Sequence, residues 1–316
     1  MSRKTSKVGI IGGGRVGAAV ANALVLLRIG VTIVLFDRTL EKAEGEAWDI
    51  EDTIPLLWQM DVLPSNQYED LADCDVIIVT VGATVKQGQS RLDLLSNNAE
   101  IIRSTIKELD RVAPNAILII VSNPVDVLTR IAHVTSSRPE NLIIGSGTIL
   151  DTARLKYQLG KLLNVDKQEV HVYVIGEHGE SEFAVWSSAF IGVIPLNEFP
   201  LPQKTSLLTM KAEYTELTRK RGYAISERKG GTNYGVAVAV CQLVETILQD
   251  EKKIFTVCVK VDSEYKVGNE VVLGLPCIIG KQGIERQLLL PINAEEQRLL
   301  TKSAAQLNEA YNSLDH

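Results

Sequence analysis

Cysteine is scarce in this chain: four residues in 316, Cys74, Cys241, Cys258 and Cys277, with no C-x-x-C pair among them. That scatter offers neither a disulfide framework nor a zinc-site spacing, so no metal is expected. It fits a reducing compartment, with all four cysteines read as small core hydrophobes. Aromatic residues make up only 5% of the chain. There is no excess of positive charge either, since 33 Lys+Arg stand against 39 Asp+Glu for a net charge of −6. An electrostatic footprint for nucleic acid or an anionic membrane is therefore missing. No apolar run approaches the ~18 uninterrupted residues of a membrane-spanning helix. The basic start followed by Val8-Gly9-Ile10-Ile11 superficially resembles a signal peptide, but Gly12, Gly13, Gly14 and Arg15 break its apolar stretch. A cytoplasmic location is expected.

What is present is an ordinary globular composition, 45% hydrophobic and 23% charged, long enough for roughly two domains. The first half alternates compact β-branched runs with helical patterns. Val8–Ile11, Val31–Phe36, Asp75–Val81, Ala116–Ser122 and Leu142–Ile144 read as buried strands of a parallel sheet. Val16–Leu27 and Leu92–Leu109 read as amphipathic helices between them. Such alternation predicts an α/β, doubly wound parallel sheet over residues 1–148. The second half changes character. A strand at Val170–Ile175 is followed by helices over Thr205–Ile225 and Thr232–Leu248. Phe255, Val257, Val259 and Val261 then alternate with polar or small residues, the pattern of an antiparallel strand buried on one side. Val271–Ile279 and Arg286–Leu290 continue it, and a helix closes the chain. This predicts an α+β domain over residues 149–316, with no Pro/Ser-rich linker at the boundary.

The first predicted strand runs straight into Gly12-x-Gly14-x-x-Gly17, and a helix opens there. Gly12 allows the tight turn, Gly14 lets a pyrophosphate approach the backbone, and Gly17 lets helix pack on strand. The second strand ends at Asp37, about 20 residues past Gly17, where a carboxylate binds a ribose 2′-OH and repels a 2′-phosphate. A Rossmann-type site for NAD rather than NADP is predicted, with Arg38 beside the acid as the one feature pointing the other way.

Chemistry concentrates elsewhere. His178 lies in the turn Gly176-Glu177-His178-Gly179-Glu180 after the 170–175 strand, and it is one of only four histidines. Imidazole is the side chain best suited to proton exchange near neutral pH. Asp151 and Arg154 share one face at the start of a predicted helix, either as a surface ion pair or as a histidine partner and a carboxylate fork. Arg91 follows the polar, glycine-hinged stretch Gly82–Ser90, an ordinary loop or a lid, and Ser90-x-x-Asp93 resembles a capping box.

In order along the chain stand Gly12–Gly17, Asp37, Ser90-Arg91-Leu92-Asp93-Leu94, Val121-Ser122-Asn123-Pro124-Val125-Asp126, Leu150-Asp151-Thr152-Ala153-Arg154, Gly176-Glu177-His178-Gly179 and Lys229-Gly230-Gly231-Thr232. With these motifs the chain resembles the L-lactate/malate dehydrogenase family nearly end to end. The resemblance implies an NAD-dependent oxidoreductase with His178 as proton carrier, Asp151 as its partner, Arg154 on the substrate carboxylate and Arg91 on the carbonyl. It places Asn123 near both nicotinamide and substrate and Thr232 in the substrate pocket. Val16, Gly82, Ala83 and Val236 join Gly12, Gly14, Gly17 and Asp37 around the cofactor. The partners it implies are a small 2-oxo or 2-hydroxy acid and further copies of the chain, as a homotetramer or dimer.

Two departures stand out. At the loop position where malate-type members carry arginine and lactate-type members glutamine, this chain has Val85. Valine cannot compensate a second buried carboxylate, so oxaloacetate is disfavoured and pyruvate or larger aliphatic 2-oxo acids, such as 2-oxoisocaproate, are expected. Lys156 and His171 fall where some bacterial members bind fructose 1,6-bisphosphate between subunits, but lysine lacks the phosphate fork of the usual arginine. A malate dehydrogenase and a catalytically silent NAD-binding sensor are the alternative readings.

Overall fold

The computed structural model describes residues 6–57, 59–83, 91–203, 205–268 and 270–314. The expectations about Val85, about the Ser90 capping box and about the side chain of Arg91 lie outside the described residues.

The first half contains β1 (Lys7–Ile11), α1 (Arg15–Leu27), β2 (Thr32–Phe36), α2 (Leu40–Glu51), the single turn α3 (Ile54–Leu57), β3 (Asp61–Ser65), β4 (Val76–Val79), α4 (Arg91–Val112), β5 (Ile117–Ile120), α5 (Val125–Thr135) and β6 (Ile143–Gly145). These six strands pair in parallel in the order β6-β5-β4-β1-β2-β3. The order reverses between β1 and β4, which opens a crevice at the carboxyl ends of the strands, where doubly wound sheets bind ligands. Strands β4 and β5 are buried at every residue, because helices cover both faces. β3 escapes the sequence reading for a physical reason. It is the sheet edge, it alternates exposed and buried residues, and it carries Pro64, which an edge strand tolerates.

The second half adds α6 (Ile149–Leu163), the short strands β7 (Val170–His171), β8 (Val174–Ile175), β9 (Phe183–Ala184), β10 (Phe190–Ile191) and β11 (Ile194–Pro195), then α7 (Leu207–Lys229), α8 (Tyr234–Gln249), β12 (Lys253–Lys260), β13 (Val272–Gly280), β14 (Gly283–Gln287) and α9 (Ala294–Asn312). Two expectations need correction. The strand over 170–175 is two strands in different small sheets, β7 with β10 and β8 with β9. β12 is not buried on one side only: Thr256 and Cys258 are as buried as Val257 and Val259. The reason is that β12 to β14 extend the parallel sheet to nine strands among the described residues, with β12 lying between β13 and β6.

That junction is packed without slack. A Cβ on Gly145 would lie 2.4 Å from Thr129 Oγ1 and 2.5 Å from Cys258 Cβ, and Gly147 has φ +52° with the β12 backbone against it. Thr148 Oγ1 donates to the Val174 carbonyl at 2.6 Å, and the Val174 N–H donates to Thr152 Oγ1 at 3.0 Å. The start of α6 is thereby clamped between the sheet and β8, which fixes the residues that its first turn presents. All four cysteines are free and buried. Among the described residues no helix is long and apolar enough to cross a membrane.

Candidate active site

The glycine loop after β1 has the shape its sequence predicts. Gly12 has φ +108°, and a Cβ on Gly17 would sit 1.9 Å from the Gly12 carbonyl oxygen, so only glycine fits there. Thr80 Oγ1 donates to the carbonyls of Ile11 and Gly12 and props the loop from β4. α1 starts after Gly14 with no side-chain cap and no acidic residue in its first turn. Its amino-terminal N–H groups are therefore suited to an anion such as a pyrophosphate. Beside Gly14 there is open space; a Cβ there would approach only Lys42 Nζ, at 4.0 Å.

Asp37 stands at the end of β2 as expected. Its Oδ2 accepts from the Gly13 N–H at 2.9 Å and from Lys42 Nζ at 3.0 Å, and its Oδ1 accepts from the Thr39 N–H at 3.1 Å. Partial burial opposes its charge, but the Thr39 N–H and the Lys42 ammonium hold its carboxyl below the usual range. The cation on this acid is thus Lys42, which the sequence reading missed, and not the exposed Arg38. Val16 and Val236 are half-buried, on α1 and α8, two helices packed against each other.

On the far side of the crevice Gly82 and Ala83 follow β4, and Asn123 follows β5. Buried Asn98 of α4 ties them together: its Oδ1 accepts from the Ala83 N–H at 2.7 Å and its Nδ2 donates to the Asn123 carbonyl at 3.0 Å. This staple leaves the Asn123 side chain exposed at the mouth of the site. Nothing in the local sequence around Asn98 announces it.

The acid–base candidates converge. His178 Nδ1 lies 2.6 Å from Asp151 Oδ2, and Arg154 donates to Asp151 Oδ1 at 2.7 Å. Asp151 is 1% exposed. An unpaired carboxylate at that depth costs several kcal/mol, so the two cations are what keep it ionised. Burial pushes against the charge on Asp151, while His178 and Arg154 hold its carboxyl below the ordinary value. For His178, burial likewise opposes the proton. The Asp151 charge and hydrogen bond, with Glu182 and Asp126 behind them, outweigh it and raise the imidazole to about 9. Nδ1 bonds Asp151, so Nε2 is the nitrogen left to exchange a proton.

The backbone of His178 is held as firmly as its ring. Its N–H donates to Asp126 Oδ2 at 2.8 Å, and Cys258 Sγ donates to Asp126 Oδ1 at 2.9 Å. Gly176, at φ +93°, bridges Gly274 of β13 through both its N–H and its carbonyl, and Ser303 of α9 accepts from the Glu177 N–H at 2.7 Å. Cys258 is therefore more than core filling, because its thiol satisfies an oxygen of a fully buried acid. Burial pushes Asp126 up to about 6.

Arg154 is 11% exposed and lies against α7, where Gly222 makes room: a Cβ there would meet the guanidinium at 3.6 Å. Thr232 is half-buried in the turn between α7 and α8. Glu182, which sequence reasoning missed, is 3% exposed and offers a carboxyl oxygen within 4.8 Å of ligand atoms of both Asp151 and His178. Both Asp151 oxygens are already taken by His178 and Arg154, so these three form a hydrogen-bonded charge cluster with the Glu182 carboxyl beside it. Lys156 is half-buried on α6 and His171 exposed on β7.

Comparison with known proteins gives the family. Residues 6–145 match the model of the lactate/malate dehydrogenase NAD-binding domain, and residues 148–316 match that of the lactate/malate dehydrogenase alpha/beta C-terminal domain. An L-lactate dehydrogenase of Clostridium botulinum (strain Loch Maree / Type A3) is 39% identical over 312 residues, covering 98% of each chain. One from Thermoanaerobacter sp. (strain X514) is 40% identical over 311 residues, covering 98% of this chain and 99% of the relative. Among solved structures, the minor L-lactate dehydrogenase of Enterococcus mundtii superposes with a TM-score of 0.93 at 32% identity, over 99% of both chains. A lactate dehydrogenase from a Medee basin deep-sea metagenome library gives 0.94 at 33%, over 98% of this chain and 99% of that one. The chain is an NAD-dependent oxidoreductase and belongs to the lactate/malate dehydrogenase family.

Proposed function

We propose that this enzyme is an L-2-hydroxyacid dehydrogenase of the lactate type, reducing pyruvate or larger aliphatic 2-oxo acids such as 2-oxoisocaproate and running in reverse. The observation that carries this reading is a buried carboxylate, Asp151, bonded at once to an imidazole and to a guanidinium. A 2-oxo acid offers a partner to each: its carboxylate to Arg154, its carbonyl oxygen to Nε2 of His178. When bound, NAD supplies or accepts the hydride. Its groups have matching places here, with Gly12–Gly17 and the uncapped start of α1 for the pyrophosphate and Asp37 for the ribose.

His178, charged at neutral pH, gives its Nε2 proton to the oxygen on which negative charge grows, and takes it back in the oxidising direction. Asp151 fixes the ring orientation and stabilises the imidazolium. Arg154 forks onto the substrate carboxylate and so orients the carbonyl. Arg91 at the start of α4 is proposed to polarise the carbonyl oxygen. Asn123 and Thr232 are proposed to line the substrate pocket, and Gly82, Ala83, Val16 and Val236 the cofactor crevice. We divide the chain into cofactor and substrate domains near residue 148, and place its work in the cytoplasm. Exposed apolar side chains on two helices flanking α1, Trp48 on α2 and Tyr234 and Val238 on α8, support a homo-oligomer.

Val85 sets the substrate range in this proposal, since it offers no charge to a second carboxylate and no amide to a small polar pocket. Initial rates of NADH oxidation against a panel of 2-oxo acids test it. The expected kcat/KM for 2-oxoisocaproate equals or exceeds that for pyruvate, and oxaloacetate comes last. Pyruvate ahead by about two orders of magnitude would reject the wider range, because one methylene is worth only about 10- to 200-fold in an apolar pocket. Oxaloacetate in the lead would make the enzyme a malate dehydrogenase, and no oxidation at all would make it a silent NAD-binding protein.

A further inference from the structure

Glu182 is a third carboxyl in the acid–base cluster, and the mechanism above gives it no task. Its side chain is buried, and among the described residues its Oε1 has no hydrogen-bond partner. An orphaned carboxyl oxygen at that depth is costly, so a position that keeps one calls for an explanation. The groups facing it come from three elements. Asp151 and Arg154 project from α6, His178 from the turn after β8, and Arg219 from α7. Arg219 donates from Nη2 to the Glu182 carbonyl at 3.0 Å and from Nη1 to Glu216 at 3.0 Å, and its own Nε is buried without a partner among the described residues. Asp126, below His178, completes the set of acids around the imidazole.

We propose that Glu182 is a positioning residue for the His178–Asp151 pair, a buried carboxyl whose ionisation holds the proton on the catalytic imidazole. The placement explains the orphaned oxygen. A hydrogen bond from a neutral donor would favour the ionised carboxylate, whereas an unbonded carboxyl is left to the charges around it. Burial, followed by the nearby Asp151 charge, pushes Glu182 up to about 8, into the range where the imidazole also titrates. The two groups titrate as a pair. The negative charge of an ionised Glu182 favours the protonated imidazole beside it and delays the loss of its proton.

The inference rests on the reading of His178 as the proton carrier. The test is the pH dependence of kcat/KM for pyruvate reduction in the wild type, Glu182→Gln and Glu182→Asp, with His178→Gln alongside. Glutamine keeps the shape and removes the charge. In E182Q the alkaline limb is expected about one pH unit lower, so the ratio of wild-type to variant activity grows about tenfold between pH 7 and pH 10. E182D, which restores a carboxyl, is expected to move the limb back toward the wild type. A limb in E182Q that superimposes on that of the wild type, or a loss of activity uniform in pH, overturns the proposal.

An infrared difference spectrum of the wild-type protein gives a second reading that does not need the variant to fold well. Between pH 7 and pH 9.5 one protonated-carboxyl band is expected to vanish, and its absence overturns the proposal. Turnover retained in His178→Gln would sink the proton-carrier reading itself. An inactive His178→Gln with an unmoved E182Q limb would sink only the role of Glu182.

Discussion

His178→Ala is expected to bind NADH as the wild type does and to lose about three orders of magnitude in kcat/KM for pyruvate. The two halves of that result come from different parts of the molecule. The cofactor crevice is built on β1, α1, β2 and the Asn98 staple, none of which touches the imidazole through a hydrogen bond. Proton delivery, in contrast, has one proposed route, the nitrogen of His178 that Asp151 leaves unbonded. The variant keeps its backbone clamp, since Asp126 binds the N–H of residue 178 and not its ring. Cofactor fluorescence titration beside initial-rate kinetics reads both halves. An alanine variant that keeps a tenth or more of wild-type turnover would remove His178 from the chemistry.

Arg154→Leu is expected to cost on the order of a thousandfold in kcat/KM, much of it in KM. Truncating one member of a buried, hydrogen-bonded charge pair costs about 2–5 kcal/mol, and each 1.4 kcal/mol is about tenfold. Two losses combine here. The substrate carboxylate loses its fork, and Asp151 Oδ1 loses the donor that now lies 2.7 Å away. Arg154→Lys separates the contributions, because a lysine keeps the charge without the planar pair of donors. It is expected to fall between the wild type and leucine, with the larger change in KM. A lysine variant with unaltered kinetics would mean that no fork is used.

Much of this arrangement was legible in the sequence, and what was not has a physical reason. The β1–glycine loop–α1–β2 unit ending at Asp37 is local in sequence, and Gly12 and Gly17 stand where sterics demand glycine, so pattern and spacing were sufficient. His178, Asp151 and Arg154 were nameable from residue type and position, although only folding brings α6 against the turn after β8. Edge strand β3, with its proline and alternating exposure, carries too weak a pattern to declare itself. That β12 continues the sheet of the first half depends on its pairing with β6 at Gly145, which no local pattern encodes. Asn98, Asp126, Cys258 and Glu182 belong to the same class. Each is an ordinary residue in sequence and acquires its role from burial and a distant partner. Lys42 escaped notice because a helix lysine five residues past an acid is common on solvated faces.

In the proposed mechanism one half-buried imidazole moves the proton in both directions. Reduction needs it charged, so kcat/KM for pyruvate is expected to stay level below pH about 9 and to fall above it. Oxidation needs it neutral, so kcat/KM for L-lactate is expected to climb with pH and level off in that same range. Measuring both profiles on the wild-type enzyme tests the claim most directly. Opposite limbs sharing one midpoint are the predicted result; profiles that rise or fall together, or that do not change with pH, would contradict it.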